Sequence, residues 1–380
     1  MEYVLLSDVG SFSDERISME HVTVDNYIST ENMVPNKGGV IQASSLPDAK
    51  KVSKYNPGDI LLSNIRPYFK KIWFADCSGG CSNDVLVFHP NKDIDAKFLY
   101  YVLSDNNFFN YATLTSKGTK MPRGTKHAIL KYWIPSLPLK TQQRIASILS
   151  AYDSQIENNQ IRIKLLEQMA ENLYKEWFVR FRFPGYETAE FEGEEPKGWR
   201  QVTLGEYANV IMGQSPESCF YNNEKQGLPF HQGVGSYGDF YLQDDIYSTE
   251  GKRLAEANSI IFSVRAPVGR INITLNKIIL GRGVAGINAK NGNNAFLLWL
   301  LKHKFSKEDI IGNGSIFTSV TKDELLGQKV LIPTRTIEES FNTTASNIEK
   351  EIRSLTIQKD NLTLQRDHLL PRLMSGKLSI

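Results

Sequence analysis

The stretch "IPSLPLKTQQRIASIL" (residues 134–149) sets an apolar strand end, a proline-stiffened connector and the start of an amphipathic segment in direct succession. Residues 332–345, "IPTRTIEESFNTTA", repeat that order about two hundred positions later. Beyond the first copy, apolar or aromatic residues recur at spacings of four and three: Ile145, Leu149, Tyr152, Ile156, Asn159, Ile163, Leu166, Ala170, Leu173 and Trp177. Beyond the second they are Phe341, Ala345, Ile348, Ile352, Leu355, Lys359, Leu362, Arg366, Leu369 and Leu373, the same series shifted by 196 positions (Ile145 to Phe341). A 3.5-residue period held this long buries a narrow stripe against a partner helix rather than a broad core. Two long helices that can pair along this seam are therefore expected, with Asn159 as a polar position.

The duplication extends upstream. "DILLSNIRP" (59–67) matches "SIIFSVRAP" (259–267), and "DAKFLYYVL" (95–103) matches "NNAFLLWLL" (293–301), with Phe98 against Phe296, Leu99 against Leu297, Tyr101 against Trp299 and Leu103 against Leu301. The latter pair opens on Asp or Asn, both suited to capping a helix. "LLSDVGSF" (5–12) aligns with "TLGEYANV" (203–210), and "KYWIP" with "QKVLIP". Short strands bounded by Gly and Pro, mixed with one clear helix, indicate an α/β (α+β) recognition domain in each half. The expected order is a first domain at 1–138, a central helix at 139–183, an acidic linker at 184–197, a second domain at 198–335 and a terminal helix at 336–380. The segment "CSGGCSNDVLVFH" (77–89) has no close copy in the second half.

Composition bounds the function classes. With 380 residues, 41% hydrophobic and 23% charged, the chain reads as an ordinary globular protein of two domains. It has no apolar run long enough to span a bilayer and no basic leader at "MEYVLLSDVGSF", so a cytoplasmic location is expected. Three cysteines, Cys77, Cys81 and Cys219, fit a reducing compartment. Cys77 and Cys81 with His89 lack a second ligand pair at zinc spacing, and no metal site is expected. Net charge is only +2, but its distribution is uneven. No acid lies between Asp105 and Asp153, a window holding Lys117, Lys120, Arg123, Lys126, Lys131, Lys140 and Arg144. None lies from Ala257 to Lys307, where Arg265, Arg270, Lys277, Arg282, Lys290, Lys302, Lys304 and Lys307 occur. Acids gather instead in "YETAEFEGEEPKGW" (186–199). Two basic surfaces on a nearly neutral protein suit a polyanion.

Catalytic signatures are missing. There is no amine-methylation motif of the Asn-Pro-Pro-Tyr kind, no phosphate loop and no Gly-x-Ser-x-Gly elbow, and the six histidines are scattered. "GVGSYGDF" (233–240) reads as a flexible loop without a strand before it or a helix after it. Asp244, Glu250 and Lys252 only faintly resemble a nuclease set.

On these features the chain resembles the specificity subunit of Type I restriction-modification systems. The resemblance covers essentially the whole sequence and is most specific at "IPSLPLKTQQRIASILSAYDSQIE" (134–157), "EPKGWRQVTLGEYANV" (195–210) and "LLPRLMSGKLSI" (369–380). The distal lead departs from it, lacking the second proline and the Gln pair of the proximal lead. The resemblance implies two target-recognition domains in tandem, held apart by an antiparallel pair of helices, which dock two modification subunits carrying S-adenosylmethionine. Those subunits recruit restriction subunits that use ATP and magnesium. No cofactor and no catalysis are then expected in this chain.

Its partner would be double-stranded DNA. Lys117, Lys120, Arg123 and Lys126, on the glycine-bearing loop "TSKGTKMPRGTK" (115–126), are candidates for phosphate contacts. Arg66, Tyr68, Arg123, Arg265, Arg270 and Arg282 are candidates for base contacts, with Lys70, Lys252 and Arg253 beside them. Trp177 and Phe178 are candidate docking contacts for the modification subunit, or members of the seam. A helix of about 43 residues from Leu139 to Phe181 spans roughly 64 Å, against about 34 Å for one DNA turn. The two domains would thus read an asymmetric bipartite target within about two turns. The alternative from another class is a protein-interaction scaffold or anti-restriction decoy without DNA affinity.

Overall fold

A computed structural model describes residues 2–305 and 319–374; the terminal "SGKLSI" and Lys307 lie outside them. The chain divides into two compact units, one of residues 1–159 with 357–380 and one of residues 160–356.

In the first unit, Glu2–Leu5 pairs antiparallel with Trp133–Ser136, Leu5 opposite Trp133. This closes the domain just before the helix Leu139–Tyr174 begins. A four-stranded sheet runs in the order Gly10–Phe12, Val85–Pro90, Ile60–Ser63, Ile72–Phe74. A second has the order Arg16–Ser18, Lys51–Tyr55, Gly79–Cys81, Tyr27–Ile28, its last pair parallel. The helix Ala96–Ser104 is capped by Asp95, whose carboxylate accepts from the Phe98 N–H at 2.7 Å. Its apolar face carries Phe98, Leu99 and Leu103 into a core shared with Ile145 and Leu149 of the first long helix and Leu370 and Leu373 of the last. Fully burying a leucine such as Leu149 stabilises by roughly 2 kcal/mol.

The second unit repeats this plan. Arg200–Thr203 pairs with Lys329–Ile332, Thr203 opposite Lys329. One sheet has the order Ala208–Met212, Val284–Ala289, Ile260–Ser263, Ile271–Ile273. The other has five short strands, Tyr221–Asn222, Tyr247–Ser248, Leu228–His231, Ile278–Leu280 and Leu254–Ala255. The segment without a sequence copy has a structural one: Gly79–Cys81 and Ile278–Leu280 each join a parallel pairing in the second sheet. A ladder of backbone hydrogen bonds needs no shared side chains, which is why sequence comparison passes over it.

The helix Asn294–Lys304 is not capped by Asn293 as expected. The Asn293 amide is drawn to the Glu338 carboxylate at 2.7 Å, and Asn342 Oδ1 accepts from the Ala295 and Phe296 N–H groups instead. "GVGSYGDF" also differs from expectation: Leu228–His231 precedes it, and Val234–Ser236 forms a 3-10 turn.

The two joints between domain and long helix are made by equivalent residues of different chemistry. Buried Gln142, fourth in its helix, accepts from the Asp95 N–H and donates to the Leu137 carbonyl, both at 2.8 Å. Buried Glu338, fourth in the helix Arg335–Met374, accepts from Tyr207 Oη at 2.6 Å and from the Asn291 and Asn293 amides at 2.7 Å.

The expected seam positions Ile145, Leu149, Asn159, Ile163, Phe341, Ile348, Ile352 and Leu355 are buried; Tyr152, Ile156, Leu166, Leu173, Leu362 and Leu369 are half-buried. Within the first unit Asp153 pairs with Arg366 at 2.7 Å, and Asn159 donates to Gln358 at 3.1 Å. Within the second, Arg162 pairs with Glu351 at 2.8 Å. The first long helix passes into a π turn at Lys175–Val179 rather than continuing to residue 183. Phe178 there is buried among Tyr174, Trp199, Phe296 and Phe341, and Trp177 packs on Phe341. Neither ring is a freely exposed contact. Among the described residues no helix is long and apolar enough to cross a membrane.

Candidate nucleic-acid interface

The first unit joins two loops that the sequence keeps far apart. After the strand Ile60–Ser63 the chain turns at Arg66, a non-glycine residue at φ +49°, and again at Lys70, at φ +52°. The Arg66 N–H donates to the Pro122 carbonyl at 2.8 Å, and the Gly124 N–H to the Asn64 carbonyl at 3.0 Å. Lys117 and Arg123 exchange two backbone hydrogen bonds of 2.9 Å, so residues 117–123 form a tight reverse loop with Gly118 at φ +98°. The two pinned segments together carry Tyr68, Lys70, Lys117, Lys120, Arg123 and Lys126.

Their side chains differ in what holds them. Lys117 and Lys120 are exposed with no side-chain partner among the described residues. Lys70 donates to Asn106 at 2.8 Å. Lys126 lies 3.5 Å from Asp14 and over the Phe12 ring. Arg123 pairs with Asp84 at 3.2 Å. Tyr68 is exposed against Phe69. Arg66 is turned partly inward, its Nε buried without a partner, as is Asn64 Oδ1, so it is less available to a base than its loop position suggested.

In the second unit Arg265 is exposed and forms a backbone bridge with Ser319, while the Val320 N–H donates to the Val264 carbonyl at 2.8 Å. This repeats the junction of Gly124 with Asn64. The Pro turns differ, because Ala266 intervenes and the Ala266–Pro267 bond is cis. The Arg270 N–H donates to Ser263 Oγ at 2.8 Å and the Arg282 N–H to Ser215 Oγ at 3.2 Å, both residues being exposed. Lys252 and Arg253 are exposed on the segment leading into Leu254–Ala255.

Four lysines of the second basic window are used internally, which its charge count could not reveal. Lys277 pairs with Glu256 at 2.6 Å, Lys290 donates to the Gly205 carbonyl, and Lys304 donates to the Lys329 carbonyl at 2.9 Å. Lys302 sits over the Phe240 and Trp299 rings, 3.7 Å from Glu167, where burial pushes its ammonium below the ordinary lysine range.

A further constellation escaped the sequence reading. His231 Nδ1 lies 2.8 Å from Ser236 Oγ, and its Nε2 lies 3.0 Å from Asp244, which also accepts from Asn276 at 2.7 Å. The imidazole is wholly buried, so the set braces the 233–240 loop and is closed to substrate. Cys81 is buried, Cys77 is exposed, and His89 pairs with Asp59 at 2.6 Å. Among the described residues no three His, Cys, Asp or Glu side chains gather as a metal would need.

The profile of the Type I restriction modification DNA specificity domain matches residues 7–168 and again 196–359. The chain is 31% identical over 307 residues to a putative type I restriction enzyme MjaX specificity subunit of Methanocaldococcus jannaschii, covering 78% of this chain and 72% of that one. It is 24% identical to the HindI specificity subunit of Haemophilus influenzae, covering 93% and 94%. The crystal structure of a Type-I restriction-modification system S subunit from M. genitalium superposes with a TM-score of 0.62 at 16% identity, over 98% of this chain and 96% of that one, a likeness of fold. Two domains that share one four-stranded sheet order, each closed by a two-stranded clasp and followed by a long helix, and a profile match to both, place the chain in the family of Type I restriction-modification specificity subunits, with the DNA specificity domain present twice.

Proposed function

We propose that the chain reads an asymmetric bipartite DNA sequence, one half with each unit, for a Type I restriction-modification complex. The observation that carries this reading is the surface of the first unit, where two loops pinned to each other carry six residues suited to phosphate and base contact. Exposed Lys117 and Lys120 suit phosphates, whose counterions they release. Arg123, Arg265, Arg270 and Arg282 have the planar fork for base edges. The loops of the two units differ, so the half-sites differ.

In this reading the long helices form an antiparallel coiled pair that acts as a spacer. Supporting it, partners within the first unit follow opposite sequence order: Asp153 meets Arg366 where Asn159 meets Gln358. Thirty-six α-helical residues from Leu139 to Tyr174 rise about 54 Å, so the half-sites would be separated by bases that are not read. Two modification subunits would dock on equivalent grooves. One, of about 530 Å³, is lined by Tyr174, Val179, Trp199, Leu300, His303 and Leu331. The other, of about 230 Å³, is lined by Tyr3, Val102, Tyr132, Trp133, Pro371 and Met374. The exposed stripe Ile161, Leu165 and Met169 would extend the contact. Methylation, using S-adenosylmethionine, and ATP- and magnesium-dependent cleavage would belong to those partners, all in the cytoplasm.

The test is titration of the chain, with and without its modification subunit, against duplex DNA at two salt concentrations, followed by methylome sequencing of a host expressing both. Salt-sensitive, sequence-dependent binding and a methylated two-part site are expected. Binding of the modification subunit without any DNA dependence would instead indicate a scaffold or decoy.

A further inference from the structure

Of the two arginines on the first unit's pinned segments, Arg123 is the one that combines a clamped backbone with an outward guanidinium beside a carboxylate. Its backbone is clamped by two hydrogen bonds to Lys117 and bridged to Ile65, with Pro122 and Gly124 bonded on either side to Arg66 and Asn64. Its guanidinium meets Asp84 through Nη2 at 3.2 Å while remaining about half exposed. Asp84 is itself anchored, since its carbonyl accepts from the Asn64 N–H at 2.8 Å directly before the buried strand Val85–Pro90.

A carboxylate on a surface that binds phosphates lowers affinity for every sequence. It is useful there if it biases a planar donor group, because a carboxylate beside one Nη leaves the other guanidinium N–H groups turned outward. Lys117 and Lys120, with no side-chain partner among the described residues, offer the opposite property: a charge free to follow the phosphate backbone and ignore the base. Arg66 has its Nε buried, and Lys126 is shared with Asp14.

We propose that Arg123 reads a guanine in the half-site bound by the first unit, through the two-point contact to O6 and N7 that this side chain makes, and that Asp84 is the residue that positions it. The assignment rests on the DNA-reading function proposed above.

The experiment is methylation of a duplex library, randomised in one half-site at a time, by the full chain in complex with its modification subunit, with the products sequenced. Arg123→Lys and Arg123→Gln are expected to lose roughly ten- to a hundredfold preference for guanine at one base pair of one half-site. The other half-site should keep its sequence and so report that the complex has assembled. Asp84→Asn should weaken the preference at that same base pair. It should also bind non-target duplex more tightly, with a salt slope steeper by about one. If Arg123→Gln prevents the first unit from folding, methylation at the intact target is lost altogether, and Asp84→Asn, which preserves side-chain shape, decides. Unchanged preference in both Arg123→Lys and Asp84→Asn, or equal losses in both half-sites, would overturn the assignment. A wild-type complex that methylates without any sequence preference would overturn the DNA-reading function itself.

Discussion

Asp153 and Glu349 occupy the same step of the two long helices, yet their surroundings differ. Asp153 accepts from Tyr101 Oη at 2.5 Å and pairs with Arg366 at 2.7 Å. In the second unit Trp299 stands for Tyr101 and Ala170 for Arg366, and both Glu349 Oε1 and Trp299 Nε1 are buried without a hydrogen-bond partner. Burial pushes the Glu349 carboxyl up to about 7, against the opposing pull of the Trp299 indole and Lys302. Since its folded value lies above the ordinary 4.5, the folded state holds a proton that the unfolded chain has released. This contribution to stability is full below about pH 4.5 and is lost as pH rises through 7. The second unit should lose no more than about 3.5 kcal/mol in that way. Glu349→Gln should flatten the decline and raise stability at pH 8, as thermal unfolding between pH 5 and 8 would record. The exchange of Tyr101 for Trp299 is legible in the sequence. Its consequence is not, because it depends on residues 170 and 302, which folding brings to the same place. Arg66 is a parallel case: its strand-end position is readable, but the burial of its Nε, at a turn whose backbone is bonded to Pro122, is not.

At the scale of elements, the two long helices were readable because a 3.5-residue apolar period leaves its mark on every turn, and the positions it picks out are buried or half-buried. The two-stranded clasp was readable only as matched motifs, "KYWIP" and "QKVLIP". What stops a helix or caps it was less accessible. The π turn at Lys175–Val179 carries no local breaker, and the chain departs only at Phe181, which adopts φ +56°. Asn293 does not cap because its Nδ2 donates to Glu338, which fixes the side chain there, and Asn342 Oδ1 from the long helix accepts the Ala295 and Phe296 N–H groups in its place. Glu338→Ala should destabilise the joint by about 3 kcal/mol, since it strands the Tyr207 hydroxyl and two amides in a buried site. Hydrogen exchange in the helix Asn294–Lys304 is expected to accelerate, with the helix Ala96–Ser104 unaffected. Equal acceleration in both helices would show that the joint does not act locally.

For the whole molecule, the order of two recognition domains, each followed by a long helix, was visible as an internal repeat, whereas the share of basic residues left on the surface was not. If the helices are a spacer, adding one heptad to each, at matched seam positions, should lengthen the unread gap by about three base pairs, because seven residues rise about 10.5 Å and DNA about 3.4 Å per base pair. Both half-sites should keep their sequences; methylome sequencing of the variant checks both statements. The two joints add a further consequence. In the first seat the helix offers a carboxamide, Gln142, to the backbone N–H of Asp95, whose own carboxylate is taken by the Phe98 N–H; in the second the helix offers a carboxylate, Glu338, to three side-chain donors, Tyr207, Asn291 and Asn293. The two seats ask different donors of the domain, so each seat is keyed. A domain transplanted from the first seat into the second would bring a backbone N–H to a buried carboxylate that now holds three side-chain donors, and would leave that charge poorly satisfied. Exchange of like for like within a seat keeps its joint intact, while shuffling between seats requires the joint to change with it.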